Sequence, residues 1–190
     1  MLALLDNLDK NLYLIFNSTL IHPVLDWIMP IVTNQFLWTG PLIIGLIWLI
    51  SGGGKRGRIT LVILIITLGL SDYSVVEILK PVFARLRPYW ALDEFRLLVK
   101  KGGQYGLPSA HASSSFAMAV ILTYFYKRWK YTFYFLAGLV AYSRVYVGVH
   151  YPGDIVLGAL YGYGLAWSVL SIWVILKVRE QKRGKTWIIY

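Results

Sequence analysis

Three groups of residues in this chain are equipped for phosphate-ester chemistry, and they lie far apart in sequence. The first runs Lys80-Pro-Val-Phe-Ala-Arg85-Leu-Arg87-Pro88, the second Pro108-Ser109-Ala110-His111, and the third holds Ser143-Arg144, His150 and Asp154. Together they supply fixed cations, a hydroxyl, two imidazoles and a carboxylate. A phosphate monoester carries up to two negative charges, and its transition state spreads charge over the equatorial oxygens. Arg and Lys donors held in place stabilise that distribution, Arg by engaging two oxygens at once. Lys80, Arg87 and Arg144 stand beside His or Ser and are the candidates.

Ser109 precedes an apolar run and is a natural N-cap, which alone would explain it. The same geometry points free backbone N–H groups and the positive end of the helix dipole at an anion. His111 then lies in the first turn, where a protonated imidazole serves as general acid for a leaving oxygen. His150 and Asp154 are four apart, with Pro152 and Gly153 marking a helix start between them. A carboxylate that takes the proton of one ring nitrogen fixes the tautomer and frees the other nitrogen as nucleophile. The expected intermediate is a phosphohistidine, which divides one displacement into two. The plainer alternative is a structural His–Asp pair. Because His150 must be neutral while His111 is protonated, the chemistry implies a bell-shaped pH dependence.

The elements that carry these groups are built for a bilayer. The chain has 190 residues, 57% of them apolar, with a mean hydropathy of +0.59, more than a soluble domain of this size needs for its core. It has no cysteine, which excludes disulfides and thiolate metal sites. With Asp6 and Asp9 against the single Lys10, its start does not read as a cleavable signal peptide. Five apolar stretches, at about 37–51, 59–79, 109–126, 131–147 and 155–176, approach the roughly 20 helical residues that a hydrocarbon core demands. Helix is the expectation for each, since lipid satisfies no backbone group. Within the last, Gly158 and Gly162 at a spacing of four point to close helix packing.

Residues 1–34 differ. Leu5, Leu8, Leu12, Ile15 and Phe16 fall near a helical period broken by Asp6, Asp9 and Lys10, which fits a helix lying at the interface better than a further crossing. The expected fold is therefore all-α: a polytopic membrane helical bundle of about five transmembrane helices (six if the N-terminal segment spans) in 35–190, preceded by an N-terminal interfacial amphipathic helix in 1–34.

With five crossings, the loop at 55–58, the loop at 127–130 and the tail after Leu176 share one side. They hold eleven basic residues against one acid, Glu180, while the other side is balanced. The positive-inside rule assigns the basic side to the cytoplasm. A nucleic-acid partner is disfavoured, because the charge is split among short loops between apolar runs. All three chemical groups then fall on the non-cytoplasmic side. Arg85, Arg96, Lys100 and Lys101 read as helix-end cations reaching lipid headgroups. Asp72, inside an apolar run, is expected to face the bundle interior and bond to Ser, Tyr or a pocket cation, or to sit in a water-filled crevice.

The spacings Lys-x6-Arg-Pro, Pro-Ser-x-His and Ser-Arg-x5-His-x3-Asp resemble the type 2 phosphatidic acid phosphatase superfamily, over Lys80 to Asp154 and, in helical pattern, most of the chain. The resemblance implies His150 as nucleophile, Asp154 as its orienting partner and His111 as general acid. It also implies a phosphate cradle of Lys80, Arg87, Ser109, the Ala110 N–H and Arg144, where the family usually has Gly in place of Ala110. No metal and no other cofactor is implied. Small bacterial members are similar in layout, which implies an inner-membrane lipid phosphatase with an extracytoplasmic site. Phosphatidylglycerophosphate, undecaprenyl diphosphate and lipid A 1-phosphate are the substrates so implied. The lipid bilayer and a membrane lipid phosphate are the partners, with no obligatory protein partner. A lipid-to-lipid phosphotransferase, a vanadate-dependent peroxidase and a non-enzymatic lipid carrier are the alternatives. Nothing in 93–104 identifies the lipid, although Arg96, Lys100 and Lys101 lean toward a diphosphate.

Overall fold

A computed structural model describes residues 2–185, with side chains from residue 4; Met1 and residues 186–190 lie outside it. All of the regular structure described is helical. Helix α1 (Leu2–Leu14) runs into a π turn, Ile15–Thr19, and α2 (Pro23–Thr33) follows at a bend of 116°. Next come α3 (Gln35–Ser51), α4 (Gly54–Phe83), α5 (Ala110–Phe125), α6 (Lys130–Tyr146) and α7 (Pro152–Lys182). Each of the five apolar stretches has become one of the helices α3 to α7. By length and composition α4 and α7 can each cross a membrane, and α1 with α2 would make a third, broken span. The 17 residues of α3 and 16 of α5 make shorter apolar helices.

Large apolar side chains face outward on several helices, and the interior combines apolar residues such as Ile121, Phe125 and Leu170 with small and polar ones. Ile43, Ile44 and Ile47 on α3, Ile65 and Ile66 on α4, and Leu160, Ile172 and Ile175 on α7 are exposed. Thr67 and Ser71 of α4 and Ser113 of α5 are wholly buried. Small residues let helices approach closely where no hydrophobic force drives association. Gly158 and Gly162 do what their spacing foretold. A Cβ at Gly158 would come within 2.5 Å of the Ser109 carbonyl oxygen, and one at Gly162 within 2.0 Å of that of Ser113. The Ser71 and Ser113 hydroxyls meet at 2.7 Å, joining α4 to α5, and the Tyr161 hydroxyl lies 2.6 Å from Ser74 Oγ.

α4 is not regular throughout. Its ladder loosens into a π turn over Ser74–Leu79, ahead of Pro81, which has no N–H to donate. It ends at Ala84, whose φ of 47° is the left-handed conformation that reverses the chain. Arg87 and Leu86 then run back along 104–106, where the Arg87 N–H donates to the Gln104 carbonyl at 3.1 Å and the Gly106 N–H to that of Arg85 at 2.8 Å.

The N-terminal segment packs against the bundle. Asn17 is fully buried, donates to the carbonyls of Arg96 and Tyr146, and accepts the Arg96 N–H at 2.8 Å. This network braces the α6–α7 connection at Gly148, which has a φ of 89° and comes so close to the Arg96 carbonyl that a Cβ would stand 2.1 Å from it. At the other end of the bundle, the Gly52–Gly53 turn lies by Tyr126, whose ring is 5.4 Å from that of Trp48. The basic residues 55–58 and 127–130 and the end of α7 belong to that end.

Candidate active site

The three groups meet. A cavity of about 550 Å³ is lined by Lys80, Arg87, Ala110, His111, Arg144 and His150, and it continues along apolar walls from α3, α5 and α6 that include Trp38, Leu42, Met118, Leu122, Phe133 and Leu136. It is a polar pocket at the top of a greasy groove. That shape suits a phosphate carried on a lipid, with the phosphate at the cations and the chains between helices.

Helix ends deliver three of the polar groups, and Arg87 and His150 come from the connections after α4 and α6. Lys80 comes from the last turns of α4, His111 from the first turn of α5 and Arg144 from the last turn of α6. Ser109 caps α5, its hydroxyl accepting the Ala112 N–H at 3.5 Å, and its own N–H donates to the Asp154 carbonyl at 2.9 Å. Ser109 is fully buried and does not itself line the cavity, whereas Ala110 beside it does. Free N–H groups at that helix start face an anion's preferred position.

The cations are held and left with spare donors. Arg87 is buried, and its Nε donates to the Tyr105 carbonyl at 3.1 Å. Arg144 donates through Nη1 to Thr33 Oγ1, while its Nε is buried with no acceptor among the described residues. Neither the Lys80 nor the His111 side chain has a hydrogen-bond partner among the described residues. A buried guanidinium N–H without a partner is costly, so its persistence beside two more cations marks a site built for an anion.

His150 is 1% exposed and Asp154 is wholly buried, with His150 Nδ1 3.2 Å from Asp154 Oδ2. The same oxygen accepts the Tyr151 N–H at 3.1 Å. Burial, reinforced by Arg87, Arg144 and Lys80, holds the His150 imidazole neutral well below the ordinary histidine range. Nδ1 faces a carboxylate, so a neutral ring carries its proton there and presents Nε2 unprotonated to the cavity. Among the described residues no three His, Cys, Asp or Glu side chains gather to hold a metal.

Two expectations about charge need correction. Arg85 and Arg96 do not reach outward. Arg85 pairs with Asp6, Asp9 and Asp154, and Arg96 with Asp26 at 2.8 Å. Asp6, Asp9 and Asp26 of the N-terminal segment are their partners there, so both guanidiniums are held against the protein. Arg96 is thereby withdrawn from any role in favouring a diphosphate. Asp72 has no hydrogen bond or ion pair among the described residues. It is exposed along the cavity wall, one turn below Val76 and two below Lys80, so the crevice expectation holds and the paired one does not.

Known proteins resemble this chain. Residues 60–177 match the PAP2 superfamily. The chain is 33% identical to a lipid A 4'-phosphatase of Bacteroides thetaiotaomicron, over 95% of its own length and 84% of that protein's. It is 40% identical to an undecaprenyl-diphosphatase of Sulfolobus acidocaldarius, over 50% of its own length and 47% of that protein's. Among solved structures it superposes on Aquifex aeolicus LpxE with a TM-score of 0.73 and 28% identity, covering 86% of this chain and 95% of that one. A PAP2 type phosphatidylglycerolphosphate phosphatase of Bacillus subtilis shares the fold, at a TM-score of 0.67 and 23% identity over 88% of this chain and 85% of that one.

Proposed function

The chain belongs to the PAP2 superfamily, as a membrane lipid phosphatase, and on that premise we propose that it removes phosphate from a lipid at the extracytoplasmic face through a phosphohistidine on His150. The observation that carries the proposal is the convergence of Lys80, Arg87, Arg144 and His111 on the cavity face of a neutral, carboxylate-oriented imidazole. A glycolipid phosphate of the lipid A type is the favoured substrate, supported by the relative that aligns over nearly the whole chain. Undecaprenyl diphosphate is the second candidate, supported by a relative that aligns over half of it.

In the first step Nε2 of His150 attacks phosphorus, the bond from phosphorus to the lipid oxygen breaks, and His111 gives its proton to that oxygen. Lys80, Arg87, Arg144 and the N–H groups at the start of α5 hold the equatorial oxygens as charge builds on them. In the second step water attacks the phosphohistidine, His111 takes the water's proton, the phosphorus–nitrogen bond breaks and phosphate leaves. Asp154 keeps the imidazole in the productive tautomer through both steps.

The test is phosphate release in detergent with a metal chelator, from lipid A, undecaprenyl diphosphate, phosphatidylglycerophosphate and phosphatidic acid. Wild type should release phosphate, fastest from lipid A, and His150→Ala should not. Equal release by the two proteins would sink the assignment. Phosphate retained in a second lipid would instead reveal transfer.

The site and the basic loops occupy opposite ends of the helices that join them, which supports five crossings by α3 to α7, with α1 and α2 at the outer surface. Because the chain lacks cysteine, single cysteines report this cleanly. An impermeant thiol reagent applied outside cells should label Lys100→Cys and spare Arg128→Cys; the reverse pattern would invert the orientation.

A further inference from the structure

Arg85 does not line the cavity, yet it touches the pair at its centre. Its Nη1 lies 3.0 Å from Asp154 Oδ1 and 2.7 Å from Asp9 Oδ2, and its Nη2 lies 3.1 Å from Asp6 Oδ1. Its guanidinium carbon stands 4.2 Å from the centre of the Tyr151 ring. Asp154 thus divides its oxygens, Oδ2 to His150 and the Tyr151 N–H, Oδ1 to Arg85. Asp9 grips the same region a second way, since its Oδ1 accepts the Gly153 N–H at 2.7 Å, in the first turn of the helix that carries Asp154. Gly153 leaves room for this contact, for a Cβ there would come within 2.7 Å of Asp9 Oδ2.

A carboxylate with no exposure needs every lone pair engaged and its charge balanced. For Asp154 the cation in direct contact is Arg85. The charged and titratable groups facing the His150–Asp154 pair are Lys80 from α4, Arg85 and Arg87 from the loop after it, His111 from α5, Arg144 from α6, and Tyr151, with Asp6 and Asp9 of α1 behind Arg85. Take Arg85 away and Asp154 loses the cation in direct contact and the partner of its Oδ1, leaving Lys80, Arg87 and Arg144 as the nearby positive charges, so a proton settles on the His150–Asp154 pair more readily and the carboxylate is held only through Oδ2.

We propose that Arg85 is a positioning residue that sets the orientation and neutrality of His150 through Asp154, and that α1, through Asp9 and Asp6, holds Arg85 in place. The N-terminal helix is then part of the active-site support rather than only a membrane anchor. This rests on the assignment of His150 as nucleophile; by analogy with the outer hydrogen-bond partners of metal-bound histidines, losing Arg85 is expected to cost about ten- to a hundred-fold in activity.

The test uses the full chain in detergent, labelled with ¹⁵N histidine; three histidines are present, and His150→Gln assigns the signal. In wild type His150 should be a single neutral tautomer with its proton on Nδ1. In Arg85→Ala it should show mixed tautomers and take up a proton roughly one pH unit higher or more. Asp9→Asn should shift in the same direction by less, and Arg85→Lys should restore part of the wild-type behaviour. With a lipid phosphate substrate, kcat of Arg85→Ala should fall about ten-fold or more with KM little changed. Unchanged tautomer and titration in Arg85→Ala would overturn the proposal. If that variant does not fold, unchanged spectra in both Asp9→Asn and the charge-removing Arg85→Gln overturn it equally. A wild type that releases no phosphate from any lipid would defeat the phosphatase assignment, while the spectra would still decide the role of Arg85.

Discussion

His150 Nδ1 and Asp154 Oδ2 lie 3.2 Å apart with both side chains buried, one at the end of the α6–α7 connection and the other in the first turn of α7. The carboxylate therefore dictates which ring nitrogen faces the cavity. Asp154→Asn keeps the shape but can offer its amide N–H to Nδ1, which favours the wrong tautomer. The expected loss in kcat is on the order of 10³-fold, with the protein still folded. Phosphate release and a thermal melt on the same preparation check this, and near-normal turnover would remove Asp154 from the chemistry.

The acid limb of the pH profile should sit low. Burial first, then Arg87, Arg144 and Lys80, hold His150 well below its ordinary 6.5. The nucleophile is therefore neutral at every pH above 6.5, and protonation removes it only well below that value. The acid limb of kcat/KM should reach half-height clearly under pH 6.5, and a limb at or above 6.5 would contradict the environment described. Folding follows the same sign: the unfolded chain binds this proton near 6.5 and the folded one does not, so stability declines as pH falls through that point.

Arg144 should matter more to turnover than to folding. Its Nε has no acceptor among the described residues, so a bound phosphate is the partner that completes it. Removing one donor aimed at developing charge costs about 3 kcal/mol, so Arg144→Ala should lower kcat/KM by about two orders of magnitude. Arg144→Lys should recover little, because a point charge does not reproduce a guanidinium fork. Vanadate, a five-coordinate phosphorus mimic, should inhibit wild type and lose potency in Arg144→Ala. Equal potency against both would place the anion elsewhere.

The seam between α5 and α7 admits no added atom. A Cβ at Gly162 would stand 2.0 Å from the Ser113 carbonyl oxygen. Gly162→Leu must push the helices apart, and Ser109, Ala110 and His111 move with α5. A loss of about 2–4 kcal/mol in stability, read as a lower Tm in detergent, is expected together with reduced activity. Gly164→Ala, where a Cβ meets nothing within 4 Å, is the control.

Much of this was legible in the residues. Apolar runs announced α3 to α7, Gly158 and Gly162 announced a close seam, and Ser109 and Pro152 announced the two helix starts that aim His111 and Asp154. What escaped was charge pairing across long separations. Nothing local links Asp9 to Gly153 or Asp6 to Arg85, which lie 144 and 79 residues apart. An acid that breaks an amphipathic stripe looks the same whether it meets water or a guanidinium from elsewhere. Asp72 left two readings open: an acid in an apolar helix implies a partner unless a cavity opens beside it, and cavities are made by several helices together. The π turn at Ser74–Leu79 was equally hidden, since Pro81 disturbs a ladder without saying how the helix accommodates it.

The most direct measurement is a rapid acid-free quench of the protein with lipid labelled in its scissile phosphate with ³²P, followed by peptide mapping. A phosphohistidine at His150 gives a transient label on the peptide that carries it, stable in base and lost in acid as a phosphorus–nitrogen bond should be, and absent from His150→Ala. It should accumulate in a variant that slows the second step, such as His111→Ala given a substrate whose leaving group needs no proton. Turnover with no label on the protein at any time, and phosphate formed by direct attack of water, would contradict the account at its centre.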